Sequence, residues 1–334
     1  MLTRQSSGSG PAQERGRHKG RRRLRGRCGA VALAGLCVTA ACSSPPPAAP
    51  GAGGTARVTS PTASRSPASP AAPGRPAATA TAAPAPPPAP HVILSRVRTP
   101  DGSVITVAAF RGPVQYVLHN GSGDPGAAAA ALVSAGPAVT GAERQRLLAA
   151  FNGGFKLSAG TGGYEQEGHV IAALRPGLAS LVIDRSGQAR MGIWGASVPA
   201  PGEAVYSVRQ NLQPLVYRGQ PASAAADPGL WGATLGGGTY VARSAVGQDP
   251  YGDLLFAGSM STSPADLAQA LAGAGARFAM ELDINPEWVQ LDIARTPGGP
   301  LTAAIPGQAR PASQFLTGWT RDFFTVVAAP STAP

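Results

Sequence analysis

Between Ser43 and Pro90 the chain offers a folding core almost nothing to use. Those 48 residues are dominated by Pro, Ala, Ser, Thr and Gly, and Val58 is their one branched aliphatic side chain. Such a stretch cannot bury enough surface to offset its chain entropy, so it is expected to be disordered or polyproline-like. Fully extended at about 3.1 Å per residue, it would reach on the order of 150 Å. Folding is thereby confined to the 244 residues from His91 onward, enough for one core and not interrupted by a second linker. The expected organisation is a targeting segment at 1–41, a tether at 42–90 and a folded domain at 91–330.

The targeting segment carries Arg21, Arg22, Arg23, Arg25 and Arg27 directly before a 14-residue apolar run, Cys28–Ala41. A bilayer-spanning helix needs about 20 apolar residues, whereas a run of this length suits the apolar region of a signal peptide. The run leads through Val38-Thr39-Ala40-Ala41 into Cys42, in the manner of a bacterial lipobox. Cys42 is the expected lipidation site, with the domain held outside the cytoplasm on the membrane by its lipid. An ordinary cleavable signal or an uncleaved anchor fits the same residues. The remaining cysteines, Cys28 and Cys37, also precede the domain, which therefore has no disulfide, thiol nucleophile or thiolate metal site.

Charge follows the same division. Residues 1–41 supply +8 of the formal +11 and residues 42–90 supply the other +3, through Arg57, Arg65 and Arg75. Residues 91–334 hold 16 basic and 16 acidic side chains and are neutral. The basic character thus belongs to the leader and tether, and no nucleic-acid partner is expected.

Within the domain the pattern is short strands and turns. Val92–Arg98 and Ser103–Phe110 flank Thr-Pro-Asp-Gly, and Ser180–Asp184 and Ala189–Trp194 flank Arg-Ser-Gly-Gln, as hairpins do. Further strands are expected at Val114–His119, Tyr240–Val246, Leu254–Ala257, Phe278–Ile284, Trp288–Ile293 and Phe323–Val327. One helix is expected over Gly141–Ala150. A second should start at Ser263 as N-cap with Pro264 in its first turn and end near Gly273–Gly275. Few helices among many strands predict an α+β domain with a mixed, largely antiparallel sheet.

Three segments carry candidate chemistry. In Ala-Met-Glu-Leu-Asp-Ile-Asn (279–285), a strand would put Glu281, Asp283 and Asn285 on one face and Met280, Leu282 and Ile284 on the other. Carboxylates two residues apart sit roughly 6.5–7 Å apart, within the range that glycosidic cleavage uses. The bland alternative is a solvated acidic face. In Phe151-Asn152-Gly153-Gly154-Phe155 the glycines permit positive φ or close backbone approach to a ligand, and a helix C-cap followed by a turn fits equally. Gly236-Gly237-Gly238 with Arg243 could bind an anion, or Arg243 could be an ordinary surface residue. The domain's histidines are His91, His119 and His169, without the spacing of a zinc site, so neither metal nor cofactor is expected.

Taken in order, these segments resemble the phosphodiester glycosidase family. Ala150–Phe155 matches its Ala-x-Asn-Gly-Gly-Phe block, Leu181–Gly187 its Leu-Val-Ile-Asp-x-x-Gly strand, and Arg243–Gly247 its Arg-x-Ala-x-Gly strand. The hairpin Tyr251–Leu255, the helix Leu267–Leu271 and Glu281-Leu282-Asp283 follow in the family's order. Where many members read Asn-Leu-Asp-Gly-Gly-Gly-Ser, this chain has Glu281-Leu282-Asp283-Ile284-Asn285-Pro286-Glu287-Trp288. Ala257-Gly258-Ser259 stands where an Asp-Gly-Arg element is often found. The resemblance implies an exported hydrolase of a sugar-1-phosphodiester in a cell-surface glycan or phosphoglycan. Asp283 would stabilise the oxocarbenium-like transition state or activate water, and Glu281, its pKa raised by Asp283, would donate a proton. Arg243 would hold the phosphodiester, with Asn152 and the Gly153 and Gly154 amides orienting sugar or phosphate and Asn285 beside them. Trp288 could stack on a sugar ring. A non-catalytic glycan-binding lipoprotein is the alternative these departures allow.

Overall fold

The structure is a computed structural model that describes residues 92–232 and 237–330. The expectations for the leader, Cys42, the tether and Gly236 lie outside the described residues. In chain order the first strands are β1 (Val92–Arg98), β2 (Val104–Phe110), β3 (Val114–His119), β4 (Leu147–Asn152), β5 (Tyr164–Gln166) and β6 (His169–Ala172). They are followed by β7 (Ala179–Ile183), β8 (Ala189–Ile193), β9 (Ser207–Gln210), β10 (Val216–Tyr217), β11 (Gln220–Pro221) and β12 (Val241–Gln248). The last five are β13 (Leu254–Thr262), β14 (Phe278–Glu281), β15 (Leu291–Ala294), β16 (Leu301–Ala303) and β17 (Phe323–Ala328). The helices are α1 (Ala127–Ala130), α2 (Gly141–Arg146) and α3 (Pro264–Gly273).

Three sheets form, in the orders β1-β2-β13-β12-β14-β10-β11, β16-β15-β4-β17-β3 and β6-β5-β9-β7-β8. Neighbouring strands in all three run antiparallel, so the α+β class with a largely antiparallel core is what the chain adopts. One apolar cluster draws on every sheet: Phe110 and Met280 from the first, Phe151 and Phe324 from the second, Leu181 and Met191 from the third. At its centre the Phe151 ring stacks on Phe110, 5.6 Å between centroids, and meets Phe256 and Phe324, each at 5.3 Å.

The far face of the first sheet is covered as well. Ala245, Leu255, Ala257 and Ala279 pack there with Leu267 and Leu271 of α3 and with Trp231. Alternation therefore sends Ala242, Val246 and Met280 into the shared core and Ala245 and Ala279 under the helix, so residues 242–247 of β12 and all of β14 are buried on both faces. Helix α3 begins as expected: the Ser263 hydroxyl accepts from the Asp266 N–H at 3.1 Å, with Pro264 in the first turn.

Two expected elements end early. The helix at Gly141 stops at Arg146, and Leu147–Asn152 is a strand between β15 and β17 with all six residues buried. Burial on both faces removes the period-two alternation, and a short apolar run then looks like part of a helical stripe. The strand expected over Phe278–Ile284 ends at Glu281, because the Asp283 carboxylate accepts the N–H groups of Ile284 and Asn285 and turns the chain. Trp288 and Val289 both donate to the Asn285 carbonyl, so Trp288 lies in a turn and β15 starts only at Leu291.

The position of Phe151 makes it the test of the shared core. Phe151→Ala should lower unfolding stability by about 3–5 kcal/mol, read from urea denaturation, with the slope of the transition unchanged.

Candidate active site

Strand β4 delivers Asn152 to the end of the second sheet, and the chain then turns through Gly153 and Gly154. Neither glycine has positive φ; what each permits is close approach. A Cβ on Gly153 would lie 2.0 Å from Asp322 Oδ2, and one on Gly154 would lie 2.9 Å from the Arg209 guanidinium carbon. The glycines thus admit a carboxylate and a guanidinium against the backbone. Asn152 Nδ2 donates to the Gly153 carbonyl and to the Ser244 hydroxyl, both at 2.9 Å, and its Oδ1 accepts the Gln290 N–H. The Asn152 amide is fully engaged in tying β4, β12 and the approach to β15 together.

Around this turn stand two buried arginine–carboxylate pairs. Arg321 Nη1 donates to Asp283 Oδ2 at 2.5 Å, and its Nη2 donates to the Gly154 carbonyl at 3.0 Å. Arg209 Nε donates to Asp322 Oδ2 at 2.7 Å, and that oxygen also accepts the Gly154 N–H. The other Asp322 oxygen, Oδ1, and Arg321 Nε are buried without a hydrogen-bond partner. Asp283 is placed by Ser244, whose N–H donates to the Asp283 carbonyl at 2.9 Å, and by Asn211, which donates to the carbonyls of Glu281 and Leu282. Burial raises the pKa of the Asp283 carboxyl; the Arg321 charge opposes the rise and Asp322 adds to it.

Asn152, Gly153, Gly154, Asp283, Trp288, Gln290, Phe315, Arg321 and Asp322 line one cleft. Its free volume is about 10 Å³, room for one water. Of the residues singled out in the sequence, Asn152, Gly153, Gly154, Asp283 and Trp288 meet here. Asn285 is exposed and spends its carbonyl and Oδ1 on the turn that carries Trp288.

Arg243 and Glu281 do not join them. Their side chains lie with Ala245 and Ala279 on the helix-covered face of the first sheet, opposite to Ser244 and Met280. Arg243 Nη1 donates to Glu281 Oε1 at 2.7 Å and to the Trp231 carbonyl at 3.0 Å, and both side chains are fully buried. The acidic face expected for Glu281, Asp283 and Asn285 is thus replaced by three different environments. Burial is the main cause that raises Glu281, to about 8; Arg243 opposes it, and Asp283 adds only the smallest contribution. Sequence reading missed Arg209, Arg321 and Asp322. The one available signal was the charged pair Arg321-Asp322 at the threshold of the apolar strand β17.

At the mouth of the cleft, Trp288 stands between Arg321, with its guanidinium carbon 5.7 Å from the ring centre, and Arg310, at 4.9 Å. Behind Gln290 lies Asp292, fully buried and held by the amides of Gln290 and Gln308. Its pKa is pushed up by burial to about 7, those two amides opposing the rise. Among the described residues no three His, Cys, Asp or Glu side chains are grouped to hold a metal ion, and no helix is long and apolar enough to cross a membrane.

In sequence, the chain matches no protein-family model and no curated protein. Among solved structures it is similar to the catalytic domain of zebrafish N-acetylglucosamine-1-phosphodiester alpha-N-acetylglucosaminidase, auto-inhibited by its pro-peptide. That match has 13% identity and a TM-score of 0.43, and covers 71% of this chain and 81% of that one. A hypothetical protein from Synechocystis matches at 13% identity and a TM-score of 0.42, over 71% of this chain and 62% of that one. A Burkholderia pseudomallei protein follows at 14% identity and a TM-score of 0.37, over 67% and 74%.

The Arg243–Glu281 pair should behave as structure. Arg243→Met should cost about 1–3 kcal/mol by leaving the buried Glu281 carboxyl without its hydrogen-bond partner, and Arg243→Met/Glu281→Leu should recover most of it in chemical denaturation. Because the folded Glu281 carboxyl binds its proton up to about 8, against an ordinary 4.5, it favours the folded state fully only below about 4.5. That contribution is lost as pH rises toward 8. The urea midpoint should accordingly fall between pH 5 and 8, and less steeply in Glu281→Gln; parallel slopes would contradict the assignment.

Proposed function

We propose that this protein is an exported hydrolase that cleaves the bond between a sugar and a phosphodiester in a cell-surface glycan, with Asp283, Asp322 and Arg321 at its centre. The observation that carries this reading is the convergence of two carboxylates, Asp283 and Asp322, and two guanidinium groups, Arg321 and Arg209, on the Asn152–Gly154 turn. The carboxylate pair is Asp283 with Asp322, in place of Asp283 with Glu281, and the phosphate-binding cation is Arg321 in place of Arg243.

Each group has a role set by its surroundings. Asp322 Oδ1, which has no partner, is the oxygen free to take a proton from the attacking water. Asp283, fixed by Arg321 and by two backbone N–H groups, presents negative charge to the oxocarbenium-like carbon. As the sugar–oxygen bond breaks, the phosphate leaves with the electron pair and its charge is met by Arg321. Asn152 holds the turn in place. The order of motifs in the sequence supports the same reaction class.

The lipobox-like Val38–Cys42 supports an anchor through a lipid on Cys42, with residues 42–90 as a tether that carries the domain outward from the membrane. Cys42→Ser should then move the protein from the detergent phase to the aqueous phase in a detergent partition of expressing cells.

A second reading, glycan binding without turnover, is favoured by one observation: both cleft carboxylates are already held by arginines, in a cleft with room for a single water. One experiment separates the two. The full chain is incubated with a panel of sugar-1-phosphodiesters and free sugar is measured. Asp322→Asn and Asp283→Asn should each lower kcat by about 10²-fold or more, while Glu281→Gln leaves it within about threefold. Binding of the same compounds with no sugar released would select the second reading.

A further inference from the structure

A cleft of about 10 Å³ admits a water or a single phosphate oxygen but not a pyranose ring, so any sugar bearing the reacting bond must rest at the mouth. The mouth has a constructed ledge. The Trp288 and Trp319 rings lie 5.6 Å apart at an interplanar angle of 47°, and the Arg310 guanidinium carbon sits 4.9 Å from one ring centre and 4.5 Å from the other. Trp319 is 56% exposed and sits against Trp288, so the pair presents aromatic surface at the mouth. The backbone under Arg310 is braced from inside: Gln308 Nε2 donates to the Arg310 carbonyl and Gln290 Nε2 to the Pro311 carbonyl, and both amides also grip the buried Asp292. Glu287, itself exposed, accepts from Arg310 Nη2 at 2.8 Å and compensates the guanidinium charge.

We propose that Trp288, Trp319 and Arg310 form a subsite for a pyranose that carries a negative charge, either a carboxylate on the ring or a phosphate attached to it. The C–H face of such a ring stacks on an indole, and the anion draws the Arg310 guanidinium away from Glu287. Nothing on a neutral sugar would compete with Glu287 for that cation. The ledge therefore selects for anionic glycans, and its place in turnover rests on the hydrolase reading, whereas its binding does not.

The test is a titration of the full chain, followed by tryptophan fluorescence and calorimetry at low ionic strength. The probes are a neutral β-linked glucose tetramer, a tetramer of galacturonic acid and a phosphate-linked mannose oligomer. The two anionic probes should bind about tenfold or more tightly than the neutral one, and Trp319→Ala should remove most of that affinity. Arg310→Gln should erase the preference for charge. Glu287→Gln should act in the opposite direction, tightening both anionic probes about threefold, and it keeps the test informative if Arg310→Gln does not fold. Equal binding of neutral and anionic probes, no binding of any probe, or a Trp319→Ala variant that binds normally would each overturn the proposal. Release of free sugar from the phosphate-linked probe without a preference for charge in binding would spare the hydrolase reading and remove the ledge; binding with preference but no sugar released from that probe would do the converse.

Discussion

The site depends on two guanidinium groups buried against two carboxylates at the Asn152–Gly154 turn. Arg209 meets Asp322 and Arg321 meets Asp283, and each arginine also donates to a backbone carbonyl of the turn region, Phe155 and Gly154 respectively. Charges this deep are tolerable only when paired and further hydrogen-bonded. That requirement fixes the end of β4, the start of β17 and the exit from β14 relative to one another. It also explains Gly153 and Gly154, since any side chain there would push Asp322 or Arg209 off its partner.

The sheet between Asp283 and Glu281 separates two kinds of buried acid. Asp283 looks into the cleft beside Asp322, and Glu281 lies under α3 against Arg243. Both pKa values are raised chiefly by burial, yet among the described residues Asp283 lines a cleft and Glu281 does not. A perturbed carboxyl is thus not by itself a site; access decides. The braced loop that carries Arg310 over Trp288 and Trp319 extends the same logic outward, because Asp292 and its two glutamines hold it from within.

The strand hairpins at 99–102 and 185–188, the capped helix at Ser263 and the antiparallel α+β class were all legible in the chain, since each is encoded by local turn chemistry, capping or alternation. Leu147–Asn152 was not, because a strand buried on both faces loses the alternation that identifies it. For the same reason Glu281 and Asp283 looked like neighbours on an open face: the alternation was real, but α3 covers one face and the strand ends at Glu281.

By itself, then, the sequence determined which turns and caps would punctuate the core, while Asn152, Gly153, Gly154 and Asp283 were grouped into one constellation, together with Arg243 and Glu281, only through a family resemblance. Only the tertiary structure decided which charges complete that constellation. Arg209 comes from β9 and Arg321 and Asp322 from the segment just before β17, remote in the chain, and nothing local distinguishes a buried arginine from a solvated one until its carboxylate partner is in place. That Asp283 meets Arg321 and Asp322 meets Arg209, while Glu281 meets Arg243 under α3, follows from that single fact: which charges pair is set by packing, not by spacing along a strand.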